Sequence, residues 1–164
     1  MERVRIADVD NALGPAAEKR RLTDPLGATD LAINYYELSP GDAFAFGYHR
    51  HESQEEVFVV EAGTVTFETE AGPVEVGPGE AVRFAPGEYQ RGVNRGSERV
   101  RALALGAPQE PGDTDIRRHC AGCGARTAQA IELADDGDAL LTRCADCGER
   151  TGRFVHGEVG PGVA

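Results

Sequence analysis

The chain has almost no lysine and no long apolar run. Lys19 stands alone beside sixteen arginines, and the net charge at neutral pH is −11. An excess of that sign repels phosphate, which argues against a general nucleic-acid or membrane-surface role. No stretch approaches the about 20 apolar residues of a membrane-spanning helix. The first ten residues, M-E-R-V-R-I-A-D-V-D, hold no continuous apolar segment of the secretory kind, so a cytoplasmic location is expected. A glycine-rich phosphate loop, G-x-S-x-G and H-E-x-x-H are all missing. Ser53, the serine nearest the paired histidines, has no evident oxyanion arrangement around it.

What is present is a succession of short strands. At 164 residues the chain suits a domain of about 100 residues with a small appendage. Residues 1–29 are expected to form an arm lying against that domain, with a strand at 4–6 and a helical turn around 16–21. From Asp30, strand-rich segments alternate with turns such as Ser39-Pro40-Gly41-Asp42 and Gly77-Pro78-Gly79. Strands of this spacing, among them 43–51, 56–61, 64–70, 80–85 and 99–105, predict an all-β antiparallel sandwich or barrel over 30–106. The proline-bearing stretch 107–116 reads as a linker.

The chemistry centres on His49-Arg50-His51 and Glu56. On a strand, residues i and i+2 face the same way, so the two imidazoles project in parallel, about 6.5–7 Å apart at Cα. Glu56 follows a polar corner, Glu52-Ser53-Gln54, where the next strand returns beside the first. Two neutral nitrogens and a carboxylate from adjacent strands suit a divalent metal.

These residues also carry a family resemblance. His49, His51, Glu56 and Gly63 follow H-x-H-x4-E-x6-G, the first cupin motif. The second, G-x5-P-x-G-x2-H-x3-N, is matched at Gly79, Gly87 and Asn94. Ala85 stands at its proline and Gln90 at its histidine. The chain resembles the cupins over about residues 30–106, which implies a double-stranded β-helix, or jelly-roll barrel. It further implies a divalent metal (Fe, Mn, Ni or Zn) held by His49, His51, Glu56 and a weaker Gln90. Gln90 could ligate through its amide, hydrogen-bond a metal-bound water, or do neither. Register with the motif selects Glu56 over Glu55 as the inward carboxylate. Gly63, Gly79 and Gly87 are expected to serve turns, and Asn94 a structural hydrogen bond. Tyr35, Tyr36, Tyr48, Tyr89, Arg83 and Arg91 are candidates for lining a pocket or packing on strands. The resemblance implies a homodimer too.

Beyond the linker lie Cys120-Ala121-Gly122-Cys123 and Cys144-Ala145-Asp146-Cys147. Two C-x-x-C units at this separation can close four thiolates around one Zn²⁺, with Zn–S near about 2.3 Å. Gly122, Gly124 and Gly148 suit the tight backbone of such knuckles. The connecting residues 128–133 and 139–143 read as a hairpin, with 151–155 as a third strand. This part, 117–156, resembles a zinc ribbon, with 157–164 as a tail that leaves His156 exposed. Four thiolates leave no open coordination position, so its zinc is expected to be structural; His119 adjoins the site as a spare ligand. From Asp113 onward six arginines face nine acidic residues, which disfavours nucleic acid as its partner. Two functions follow. One is a small-molecule-binding or sensing barrel whose ribbon docks a protein partner. The other is a cupin metalloenzyme of dioxygenase, isomerase or decarboxylase type, with Glu56 a ligand and proton acceptor.

Overall fold

A computed structural model describes residues 1–155 and 158–159. His156 and all of the expected tail except Glu158 and Val159 lie outside the described residues. The strands of the first part are β1 (Glu18–Arg21), β2 (Ala32–Leu38), β3 (Tyr48–His51), β4 (Glu55–Ala62), β5 (Val65–Thr69), β6 (Gly72–Val76), β7 (Ala81–Phe84), β8 (Gln90–Val93) and β9 (Val100–Ala107). Those of the second part are β10 (Thr114–Cys120), β11 (Ala125–Leu133), β12 (Leu140–Cys144), β13 (Arg150–Val155) and β14 (Glu158–Val159). They form two antiparallel sheets, in the orders β1-β2-β9-β4-β7 and β14-β13-β12-β11-β10-β3-β8-β5-β6. Among the described residues no helix is long and apolar enough to cross a membrane.

The two sheets meet face to face over an apolar core. In β9, Val100, Ala102 and Ala104 are buried while the residues between them are more exposed, the period-2 pattern of a strand with one wet face. Phe44, Phe58, Phe67 and Phe84 form the centre, with ring centroids 4.8 to 6.1 Å apart. Gly92 is needed beneath them, because a Cβ there would sit 2.5 Å from Phe44 and 2.7 Å from Phe67. Asn94 makes the expected structural bonds, donating to the Leu38 and Glu98 carbonyls.

Several local expectations are corrected. Residues 4–6 are not a strand; a short 3-10 turn occupies Ile6–Asp8 instead. The expected helical turn at 16–21 is extended: Glu18–Arg21 pairs with Arg21↔Asn34 through Glu18↔Glu37 of β2. The edge of β2 would otherwise expose unpaired backbone groups, and that long-range demand outweighs local helix propensity. The strand expected from Ala43 begins only at Tyr48. Ala43 makes an isolated bridge to Val93, and the chain then bends, which turns Phe44 into the core.

β10 begins inside the proline-bearing stretch 107–116. Thr114 through Arg117 pair with His51 through Tyr48, so β10 joins the barrel sheet edge directly. Before it, the backbone bonds of Glu52 and Ser53 to the Asp113 and Pro111 carbonyls hold the chain against the corner after β3. The Gln54 side-chain amide adds bonds to the Pro108 and Gln109 carbonyls.

Candidate functional site

β3 presents His49 and His51 on its inner face, and β4 brings Glu56 opposite them. Glu56 Oε2 lies 3.6 Å from His49 Nε2 and 3.5 Å from His51 Nε2. One ligand atom from each of the three lies within 4.8 Å of the others. Gln90 faces His49 across the β3–β8 pair and is buried. Its Nε2 donates to Glu56 Oε2 at 2.9 Å and sits 3.2 Å from His49 Nε2. Glu55 points the other way and pairs with Arg83.

Second partners orient both rings. His49 Nδ1 is 3.2 Å from the Gly47 carbonyl, and His51 Nδ1 is 2.9 Å from Thr114 Oγ1. A carbonyl only accepts, so His49 carries its proton on Nδ1 and leaves the Nε2 lone pair facing the site. An Nδ1–H donated to Thr114 gives His51 the same tautomer. Lone pairs from two imidazoles and a carboxylate then converge on one point, an arrangement a cation relieves. Burial alone would raise the Glu56 carboxyl, but without a metal, hydrogen bonds and charge from His49 and then His51 in their protonated forms outweigh it and hold it well below its ordinary value. Glu56 therefore remains an anionic donor. Gln90 Oε1 is buried without a hydrogen-bond partner. Amide oxygen and nitrogen are hard to tell apart by shape, and a half-turn of this amide would aim the oxygen at the same point. The donor set fits a divalent cation with three firm ligands and a fourth neutral one.

The four cysteines form a second group. All four sulfurs lie within 4.8 Å of one another, with Cys120···Cys147 at 3.5 Å and Cys123···Cys144 at 3.7 Å. Those separations match the about 3.8 Å edge of a tetrahedron with 2.3 Å metal–sulfur bonds, and exceed a disulfide's about 2.05 Å. Both loops close alike: Gly124 N donates to Cys120 O and Gly148 N to Cys144 O, each at 2.9 Å. Each glycine has positive φ, +65° and +78°, which is why glycine follows each pair. The Thr127 hydroxyl, 3.1 Å from Cys144 Sγ, holds that thiol below its ordinary value.

Thr114, Thr127 and Glu149 escaped the sequence reading. Glu149 accepts from Gly122 N at 2.6 Å and so braces the first cysteine loop from just beyond the second. Its place after Cys147-Gly148 was a usable signal; Thr114 had none. Of the pocket candidates, Tyr36 lies in the core, and Tyr35 donates to Glu37. Tyr48 stacks on Tyr89 with centroids 5.1 Å apart.

Residues 34–106 match the family model of the cupin domain, Cupin_2. The fold is cupin-like. A sugar phosphate isomerase of the cupin superfamily from Silicibacter pomeroyi DSS-3 aligns over 87% of each chain at 20% identity and a TM-score of 0.58. The polyketide cyclase RemF from Streptomyces resistomycificus aligns over 71% of this chain and 84% of its own, at 26% identity and a TM-score of 0.57. A predicted oxalate decarboxylase from Thermotoga maritima aligns over 65% of this chain and 98% of its own, at 19% identity and a TM-score of 0.56. No curated protein matches the sequence.

Proposed function

We propose that this cupin-domain protein holds a divalent metal on His49, His51 and Glu56, assisted by Gln90, and uses that centre to bind or sense a small polar molecule. The observation that carries the reading is the convergence of three donors on one point beside a neutral amide. Among the described residues no further histidine or carboxylate joins this group, so a separate acid–base pair for turnover is missing from it. When bound, the metal would act as a Lewis acid toward an oxygen-bearing ligand. The chain's own residues supply anchorage: the Gly47 carbonyl and the Thr114 hydroxyl fix the rings.

We assign the cysteine group to a structural zinc in a ribbon-like unit that docks a protein partner. Four sulfurs at tetrahedral spacing support zinc over hard cations. A cytoplasmic homodimer completes the proposal, since reduced cysteines suit that compartment.

A metalloenzyme of isomerase, decarboxylase or dioxygenase type is the second reading. Three firm protein ligands favour it, because such a set leaves coordination open for a substrate. The similar cupins have names that span different reactions, so the fold does not choose among them.

Metal analysis of the purified protein tests the central claim. Two metals per chain are expected, falling to one in Glu56→Gln. Gln90→His should tighten the barrel metal by on the order of tenfold, since imidazole is the better ligand for late first-row ions. One metal per chain in the wild type, unchanged by either substitution, would defeat the proposal. Turnover of a small oxygenated metabolite, lost in Glu56→Gln, would favour the second reading.

A further inference from the structure

Three buried side-chain polar atoms among the described residues have no hydrogen-bond partner. One is Gln90 Oε1. The other two are the Nε atoms of Arg91 and Arg118, and both side chains line the same small cavity. Buried donors in native proteins nearly always find an acceptor, so two orphans at one cavity call for a missing one. Gly47, Tyr48, His119 and Arg126 complete most of the wall. No carboxylate lines it, although the chain as a whole carries −11.

The local charges are poorly compensated. Arg118 has only carbonyl acceptors, Phe46 O and Thr151 O, and no carboxylate within ion-pair range among the described residues. Arg91 and Arg126 reach only Glu68, at 3.9 and 3.7 Å. That carboxylate is already held by Arg95 at 2.5 Å. Arg117, also at the wall, is paired with Asp115. Of the four guanidinium groups at the wall, three thus lack a close counter-ion of their own: Arg91 on β8 and Arg126 on β11 share the distant Glu68, and Arg118 on β10 has none among the described residues.

The shape and size narrow the ligand. The cavity measures about 50 Å³. That is several times the about 10–15 Å³ that a single water needs. It suits one small group, not a sugar or a base. A planar carboxylate satisfies one arginine fork, whereas a tetrahedral oxyanion offers oxygens in several directions at once. We propose that Arg91, Arg118 and Arg126 form a binding site for a tetrahedral oxyanion, inorganic phosphate or the phosphate group of a small monoester, at the junction of β8, β10 and β11. The site lies outside the two metal-ligand groups and stands independently of them. An anion there ties the barrel strand β8 to the cysteine-bearing extension, because Arg126 belongs to β11.

The test is a titration of the metal-loaded full chain with inorganic phosphate, at ionic strength held constant with chloride, followed by calorimetry and by thermal stabilisation. Glycerol phosphate serves as the monoester probe. Saturable binding of one phosphate per chain is expected, and the two probes together tell free phosphate from an ester as the preferred source. Arg91→Gln and Arg126→Gln should each weaken binding, Arg91→Gln by on the order of tenfold or more. Arg118 also holds two carbonyls, so its substitution risks misfolding and is not required. Stabilisation no greater than with matched chloride, or affinity unchanged in both variants, would overturn the site. So would binding seen only with a polyanion such as duplex DNA. Phosphate binding lost in Glu56→Gln but kept in Arg91→Gln would put the anion in the barrel, and would overturn it as well.

Discussion

Thr114 Oγ1 lies 2.9 Å from His51 Nδ1, although 63 positions separate the two residues in the chain. Thr114 opens β10 and Cys120 closes it. One seven-residue strand therefore touches the barrel donors at one end and supplies a cysteine of the second group at the other. The span is about 20 Å at 3.3 Å per residue.

Thr114→Val removes the partner that orients His51 while nearly keeping the side chain's volume. Loss of such a partner typically costs about 10–100-fold in metal affinity. Competition with a chelator of known affinity should show that weakening for the barrel metal. The cysteine-bound metal should be unaffected. Equal affinity in wild type and variant would mean that Thr114 does not orient the ring.

With the proposed zinc on the cysteine group, its removal should unfold the extension before the barrel. Its few buried side chains include Cys120, Thr127, Ala139, Thr142, Cys144 and Phe154, too little apolar surface to hold its strands together unaided. Hydrogen exchange after chelation should show lost protection over β11–β13 and retained protection over β4 and β9. Cys144→Ser should reproduce the effect. Uniform protection in the metal-free protein would contradict this.

Gly92→Ala tests the aromatic core. The added methyl group would lie under 3 Å from Phe44 and Phe67, and Phe67 is fully buried with nowhere to retreat. Overpacking of this kind costs about 1–3 kcal/mol. A fall in thermal midpoint of roughly 2–12 °C is expected for a domain of this size. An unchanged midpoint would show that the rings yield more easily than their packing indicates.

Glu37 provides a pH signature away from any metal. Burial alone would raise its carboxyl, but Arg99 at 2.7 Å and then Tyr35 at 2.8 Å hold it below the ordinary 4.5. Its folded pKa is depressed, so the stabilisation is full above about pH 4.5 and fades as pH falls through the folded value. Arg99 is half exposed, and solvent screens the pair to about 1 kcal/mol. Urea unfolding of Glu37→Gln should show that deficit at pH 7 and a shrinking one at lower pH. A deficit independent of pH would remove the carboxylate from the explanation.

Much of this protein could be read locally. His49 and His51 face one way because strand side chains repeat every two residues. The cysteine loops close because Gly124 and Gly148 supply positive φ immediately after each pair. Glycine- and proline-rich turns marked most of the strand ends, and residues between them alternate as one-faced strands do. The misreadings arose where distant partners decide. Glu18–Arg21 became a strand because β2 offered an open edge, and residues 44–47 bent because the core needed Phe44.

The sequence alone determined the kinds of donor present and their spacing along each strand and loop, since those depend on neighbours a few residues away. Tertiary structure decided what meets across the fold: Gln90 beside Glu56, Thr114 on His51, and four arginines around one small cavity. Such encounters depend on sheet order and register, and residues dozens of positions apart carry no local mark of the partners they will find.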